Sequence, residues 1–178
     1  QRSINNPEHR KQIAEIWGIP ESEMPQAGVS VVEMFDKMRE GEIRGLMSVC
    51  NNVMVSLPDT NKVRESLEGL EFYVCIDFFM SESARYADVV LPGTAWSEDE
   101  GVTTNGEGRV LKINKASEPP GEAKPDWWIV KQLAERLGRG KFFPYENTRE
   151  MFEEMREASR GGTADYGGIS WERIEREN

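Results

Sequence analysis

Two loops of this sequence gather the polar side chains that suit a phosphorylated ligand. Cys50-Asn51-Asn52 ends an apolar run, and its loop continues to Ser56; Phe72-Tyr73-Val74-Cys75-Ile76-Asp77 has strong β propensity and ends in a carboxylate, with Ser81 and Ser83 just beyond. Parallel sheets bind ligands outside the carboxyl ends of their strands. At such an edge Asp77 can accept hydrogen bonds from ribose hydroxyls, while Asn and Ser can donate to a pyrophosphate beside the N–H groups of a helix's first turn. The same residues also suit a plainer role, because an Asp before a helix is often a cap and Asn pairs are common in turns. Neither a GxGxxG loop nor a P-loop lysine is present, which disfavours an ordinary NAD or ATP site.

Other clusters carry less. Glu98-Asp99-Glu100 beside Gly101 reads as a solvated turn, His9 as a surface histidine, and Cys50 and Cys75 as structural thiols near strand ends. Trp127-Trp128 supplies core on one side and an interface on the other; a base-stacking platform would want basic neighbours.

The elements that must position these residues follow from patterning. Pro7 to Trp17 reads helical, with Ile13, Ile16 and Trp17 on one face. Ser30 to Glu33 fits a capping box opening a helix with the stripe Val31, Met34, Phe35 and Met38, stopped at Gly41. Ile43 to Cys50 reads as a buried strand, Asn51 to Asp59 as a loop, and Asp59 as the cap of a helix with Val63, Leu67 and Leu70 inward. After the strand ending at Asp77 come a helical turn from Ser81 to Tyr86 and a brief strand from Ala87 to Pro92. This alternation predicts an α/β fold, a Rossmann-like parallel sheet flanked by helices. An irregular or extended excursion around 93–118 follows, with hairpin potential over Val102 to Ile113. Two C-terminal helices complete the pattern, one capped by Asp126 (Trp127, Val130, Leu133, Ala134, Leu137) and one from Thr148 (Met151, Phe152, Met155), before a partial helix at the end. The expected division is an N-terminal helix and loop over 1–28, a nucleotide-binding domain over 29–140 and a helical extension over 141–178.

Composition narrows the function. The 178 residues carry 22 Lys+Arg against 32 Asp+Glu, a net charge of −10, which argues against neutralising nucleic-acid phosphates. No apolar run approaches the roughly 20 residues of a membrane span. Two cysteines and one histidine cannot build a four-cysteine zinc site or an iron–sulfur cluster. The chain begins without Met and ends in a charged helical stretch, so both ends read as cuts through a longer polypeptide.

Three strings together resemble the molybdopterin oxidoreductase family: Phe79 to Pro92 (FMSESARYADVVLP), Glu100 to Val110 (EGVTTNGEGRV) and Pro119 to Ala123 (PPGEA). The resemblance runs in order from Trp17-Gly18 to Trp171-Glu172. Within the family, the Thr104-to-Val110 string and the stretch from Phe152 to Tyr166 look most like assimilatory-type nitrate reductases, with formate dehydrogenases a close second. The resemblance implies an interior segment of a catalytic subunit that binds the guanine nucleotide of a molybdopterin guanine dinucleotide, with molybdenum or tungsten on the pterin. The metal ligand and a 4Fe-4S cluster would lie elsewhere in the parent, so the segment alone would catalyse nothing. It also implies the remaining domains of the same subunit as partners, an electron-transfer subunit or domain, and a cytoplasmic location. Carried over by position, Asn51, Asn52 and Ser56 approach the pyrophosphate and sugar, Asp77 holds guanosine hydroxyls, Ser81 and Ser83 fall on hydroxyl positions, and Asp88 either meets a guanine edge or caps a turn. The family's loop reads Gly-x-Asn-Pro; here Cys50 replaces the Gly and Val53 the Pro. Arg109 and Glu107 would either pair as a structural lock, the favoured role, or face the cofactor or another domain. A scaffold relative emptied of pterin, as in the large peripheral subunit of complex I, is the competing class.

Overall fold

The computed structural model describes residues 2–177, which form two compact units. One consists of residues 28–98 and 117–130; the other takes the described residues up to Ala27, then 99–116, then Lys131 onward. The stretch 29–140, read from sequence as one domain, is therefore divided between them.

The first unit is mixed α/β. Helix α2 (Val31–Arg39) opens at Ser30, whose hydroxyl accepts the Glu33 N–H at 3.3 Å, and Gly41 beyond it takes φ 76°, where a Cβ would be strained. Strand β1 (Gly45–Val49) leads through a one-turn helix α3 (Val53–Ser56) and helix α4 (Thr60–Glu68) to β2 (Phe72–Asp77), then β3 (Val89–Pro92). The three strands run parallel in the order β1-β2-β3, with Met47 opposite Val74 and Val74 opposite Val89. Tyr73 and Cys75 on one face of β2 pack with Phe35, Met38, Val63 and Leu67 into the core. Ser66, fully buried on α4, donates to the Phe35 carbonyl at 3.0 Å and ties α4 to α2. Asp59 caps α4 as expected, accepting the Lys62 N–H at 3.2 Å.

Several expectations need correction. β1 is an edge strand, paired on one side only, so Met47 and Val49 stand exposed and only Ser48 is buried. The loop expected from Asn51 to Asp59 contains α3, because the Val55 and Ser56 amides both reach the Asn52 carbonyl at 3.0 Å and bury Val53 and Met54. Val31 is exposed; Phe35 and Met38 carry the buried stripe of α2. Helix α5 (Asp126–Arg136) starts at Asp126 itself, with the Ile129 amide on the Pro125 carbonyl, so Asp126 is not its cap.

In the second unit, α1 (Pro7–Trp17) is capped by the Asn6 side chain and closed at Gly18, which takes φ 63°. Its one buried residue is Ala14, and Trp17 is exposed. The excursion contains an antiparallel hairpin, β4 (Gly101–Thr104) with β5 (Val110–Ile113), whose turn is fastened by Asn105 accepting the Glu107 and Arg109 amides at 3.0 and 2.9 Å. Helices α6 (Thr148–Ser159) and α7 (Trp171–Glu177) bring Phe152, Trp171 and Ile174 against Val102 and Val110. Arg109 donates to the Glu177 carbonyl at 3.0 Å, so its bond goes to α7 and not to the expected partner Glu107. Among the described residues no helix is long and apolar enough to cross a membrane.

Leu133 and Leu137, expected inward on α5, are 40% and 68% exposed, while Ala134 is buried. Truncating an exposed leucine removes little area from the core, so Leu133→Ala is expected to cost under about 1 kcal/mol, against about 2–4 kcal/mol for Leu67→Ala, which leaves a cavity. Urea unfolding of the two variants checks the contrast.

Candidate functional site

Parallel pairing sets the C-terminal ends of β1 and β2 side by side, with Val49 opposite Ile76, so the two following loops leave the same edge of the sheet. Cys50 turns the chain there. Its amide still joins the sheet, donating to the Ile76 carbonyl at 2.8 Å, but its φ is 48°. This is a left-handed conformation that glycine adopts freely and a Cβ resists. The thiol donates to Asp126 Oδ2 at 3.0 Å.

The second loop is shaped by Asp77, which is 8% exposed. Its Oδ1 accepts the Phe78 and Phe79 amides at 2.8 and 3.5 Å, and its Oδ2 accepts the Ser81 hydroxyl at 2.8 Å. A carboxylate has about four lone-pair sites, and these bonds use three of them. Ser81 Oγ also accepts the Ala84 amide at 3.4 Å. Phe78, Phe79 and Met80, at the tip of this loop, are exposed.

Asn52 joins the loops. Its Oδ1 accepts the Ser83 hydroxyl at 2.7 Å, and its Nδ2 donates to Glu82 at 2.7 Å. That amide is the main reason the Glu82 carboxyl lies below the usual carboxylate range. Ser83 is fully buried, and its hydroxyl accepts the Met54 amide at 3.0 Å. Asn51 and Ser56 are exposed and bonded to each other at 3.1 Å. Six of the seven residues singled out from sequence thus share one edge.

Asp88 does not. It precedes β3, at the opposite end of the sheet, and its Oδ2 accepts the Tyr73 amide at 2.7 Å. A residue before a parallel strand lies at the edge where the strands begin, so Asp88 is corrected to a fastening of β2 and leaves the candidate site. Its bond goes to a neighbouring strand, so it caps neither the preceding turn nor the ligand edge.

Two participants escaped the sequence reading. Glu82 meets Asn52 across 30 positions, and Asp126, expected as a helix cap, meets Cys50 across 76. Asp126 Oδ1 is buried and has no hydrogen-bond partner; it packs where a Cβ on Gly93 would lie 2.6 Å away. Glycine at 93 is therefore required by close approach. The edge is rich in acceptors, and neither 50–56 nor 77–83 contains Lys or Arg.

The molybdopterin oxidoreductase family profile matches residues 10–136. The chain is 52% identical over 177 residues to the assimilatory nitrate reductase catalytic subunit of Bacillus subtilis (strain 168), covering 99% of this chain and 25% of that one. It is 38% identical over 168 residues to the F420-dependent formate dehydrogenase 1 subunit alpha of Methanococcus maripaludis, covering 94% of this chain and 24% of that one. Among solved structures, acetylene hydratase from Pelobacter acetylenicus superposes with a TM-score of 0.67 at 23% identity over 94% of this chain and 23% of that one, a likeness of fold. The chain spans about a quarter of the length of these relatives.

Two predictions follow from the turn at Cys50. Cys50→Gly is expected to be more stable than Cys50→Ala by about 1 kcal/mol, since both lack the thiol and only alanine keeps a Cβ at positive φ; paired urea melts measure it. Loss of water, then the hydrogen bond from the thiol to Asp126, pushes the Cys50 pKa up to about 12 from 9.0, and burial pushes Tyr73 up to about 12 from 10.0. Both groups are held neutral in the fold. Their contribution is complete below the unfolded values and disappears as pH climbs through about 12. Unfolding free energy should therefore fall between about pH 9 and 12, less steeply in Cys50→Ala.

Proposed function

The chain belongs to the molybdopterin oxidoreductase family, and on that premise we propose that its α/β unit holds the guanine nucleotide of a molybdopterin guanine dinucleotide within a larger catalytic subunit. Membership itself carries a molybdopterin cofactor with molybdenum or tungsten. The observation that supports the nucleotide reading is the shared edge: Asn51, Asn52, Ser56, Asp77, Ser81 and Ser83 stand together where a parallel sheet takes its ligands.

The donor set fits one end of that group better than the other. Asp77 and the exposed Glu82 are acceptors, matched to ribose hydroxyls and to the N–H edge of guanine. A diphosphate wants cations or free N–H groups. The Met54 amide is spent on Ser83, segments 50–56 and 77–83 contain no Lys or Arg, and the nearby Arg85 acts on the Glu82 carboxylate. The nucleoside end is therefore assigned to this edge, and the neutralisation of the diphosphate to residues elsewhere in the parent. When bound, the pterin supplies the redox-active metal centre; this chain's residues orient its nucleotide tail.

For the parent we infer nitrate reduction to nitrite, on the identity with the assimilatory nitrate reductase subunit. The likeness to a formate dehydrogenase alpha subunit favours a second reading, formate oxidation. The 4Fe-4S cluster, the metal ligand and the electron-transfer partner belong in this proposal to the rest of the subunit or its neighbours, and the location to the cytoplasm. A scaffold emptied of cofactor is disfavoured by Cys50: although a side chain replaces glycine, the backbone keeps a glycine-like turn. That conformation costs free energy and persists where the loop's shape is constrained.

Titration with GMP followed by amide NMR tests the reading. Shifts confined to residues 50–56 and 77–84 are expected, with Asp77→Ala weakening the binding. Shifts scattered over both units, or none at saturating ligand, would refute the assignment.

A further inference from the structure

We propose that Asn52 and Ser83 are positioning residues, a latch that holds the loop after β2 against the loop after β1, and that neither side chain touches the nucleotide. The inference rests on the nucleotide reading and deepens it, because it separates the residues that meet the ligand from those that set the edge.

The hydrogen-bond inventory carries the argument. Asn52 Oδ1 accepts from the Ser83 amide at 3.3 Å and from its hydroxyl at 2.7 Å, and Asn52 Nδ2 gives one of its two protons to Glu82. Both acceptor lone pairs and one donor are thus committed to residues thirty positions away. The Ser83 hydroxyl has one proton, which goes to Asn52, and it accepts the Met54 amide. With no exposed surface, Ser83 cannot meet a ligand at all. The Met54 amide belongs to the first turn of α3, where no carbonyl of the helix can receive it. Removing Ser83 would leave that amide buried and unpaired, and would release Asn52 with it.

The loop held in this way is the one that presents Asp77, Ser81 and the exposed Phe78 and Phe79. Through the latch their placement is referred to β1, so the two sides of the edge keep a fixed separation. By this reading the residues left to touch the nucleotide are Asp77, Ser81 and the exposed Asn51, Ser56 and Glu82.

A double-variant cycle on the whole chain tests the proposal. Asn52→Ala and Ser83→Ala should each weaken GMP binding about tenfold, and the double variant should lose little more, since either change opens the same latch. Asn52→Ala should also shift the amides of Glu82 to Ala84 without ligand, and bring the Glu82 carboxyl back toward its ordinary range. Losses that multiply in the double variant would mean two independent contacts with the nucleotide, and would overturn the latch. So would unchanged affinity in Asn52→Ala. If Ser83→Ala does not fold, Asn52→Asp decides, because it still accepts from Ser83 but offers Glu82 no proton: weaker binding with a raised Glu82 titration supports the latch, and unaltered affinity overturns it. Failure of the wild-type chain to bind GMP would refute the nucleotide reading alone; the latch then stands or falls on the Glu82-to-Ala84 amide shifts in Asn52→Ala.

Discussion

A buried hydroxyl, that of Ser83, joins the two loops that leave the carboxyl ends of β1 and β2. It satisfies the Met54 amide and engages Asn52, and so fastens a one-turn helix, the end of β1 and the loop after β2 to one another. Backbone amides at a helix start must find partners, and a short helix offers few. Here the partner comes from the neighbouring crossover. Local demand for a hydrogen bond has become a tertiary connection, and the shape of the edge depends on it.

Around this connection the edge divides its labour. Asp77 spends most of its capacity on its own loop. Cys50 accepts a strained backbone so that the chain can leave the sheet sharply, and its thiol is kept neutral by lost hydration and the Asp126 carboxylate. Gly93 is bare because Asp126 occupies the place of a side chain there. Asp77 and Glu82 are bonded within the protein, while Asp126 keeps a buried Oδ1 without a partner, so the edge is rich in acceptors. Under the proposed reading, an edge so built complements the hydroxyl and N–H groups of a nucleoside better than a phosphate.

Hydrophobic periodicity and turn chemistry made most elements legible: α1, α4, β2 and the parallel alternation follow from apolar spacing, Asp59 and Ser30 as caps, and β-branched and aromatic runs. Failures came where a pattern states which face is apolar without stating whether anything covers it. Met47, Val49, Leu133 and Leu137 are apolar and periodic, yet exposed. Asp126 has the type and position of a cap, but its carboxylate turned toward a thiol 76 residues away. Asp88 lies in a family-like string near the site in sequence, and at the other end of the strands in space.

Residue order alone therefore determined the strands, their parallel sense and the polar segments that follow them, because these rest on short-range propensity and on the rule that parallel strands end together. Only the folded chain decided which of those polar groups remain available. Hydrogen-bond capacity is finite, and whether Asn52 offers its amide to a ligand or spends it on Ser83 and Glu82 depends on which loop the tertiary structure sets beside it.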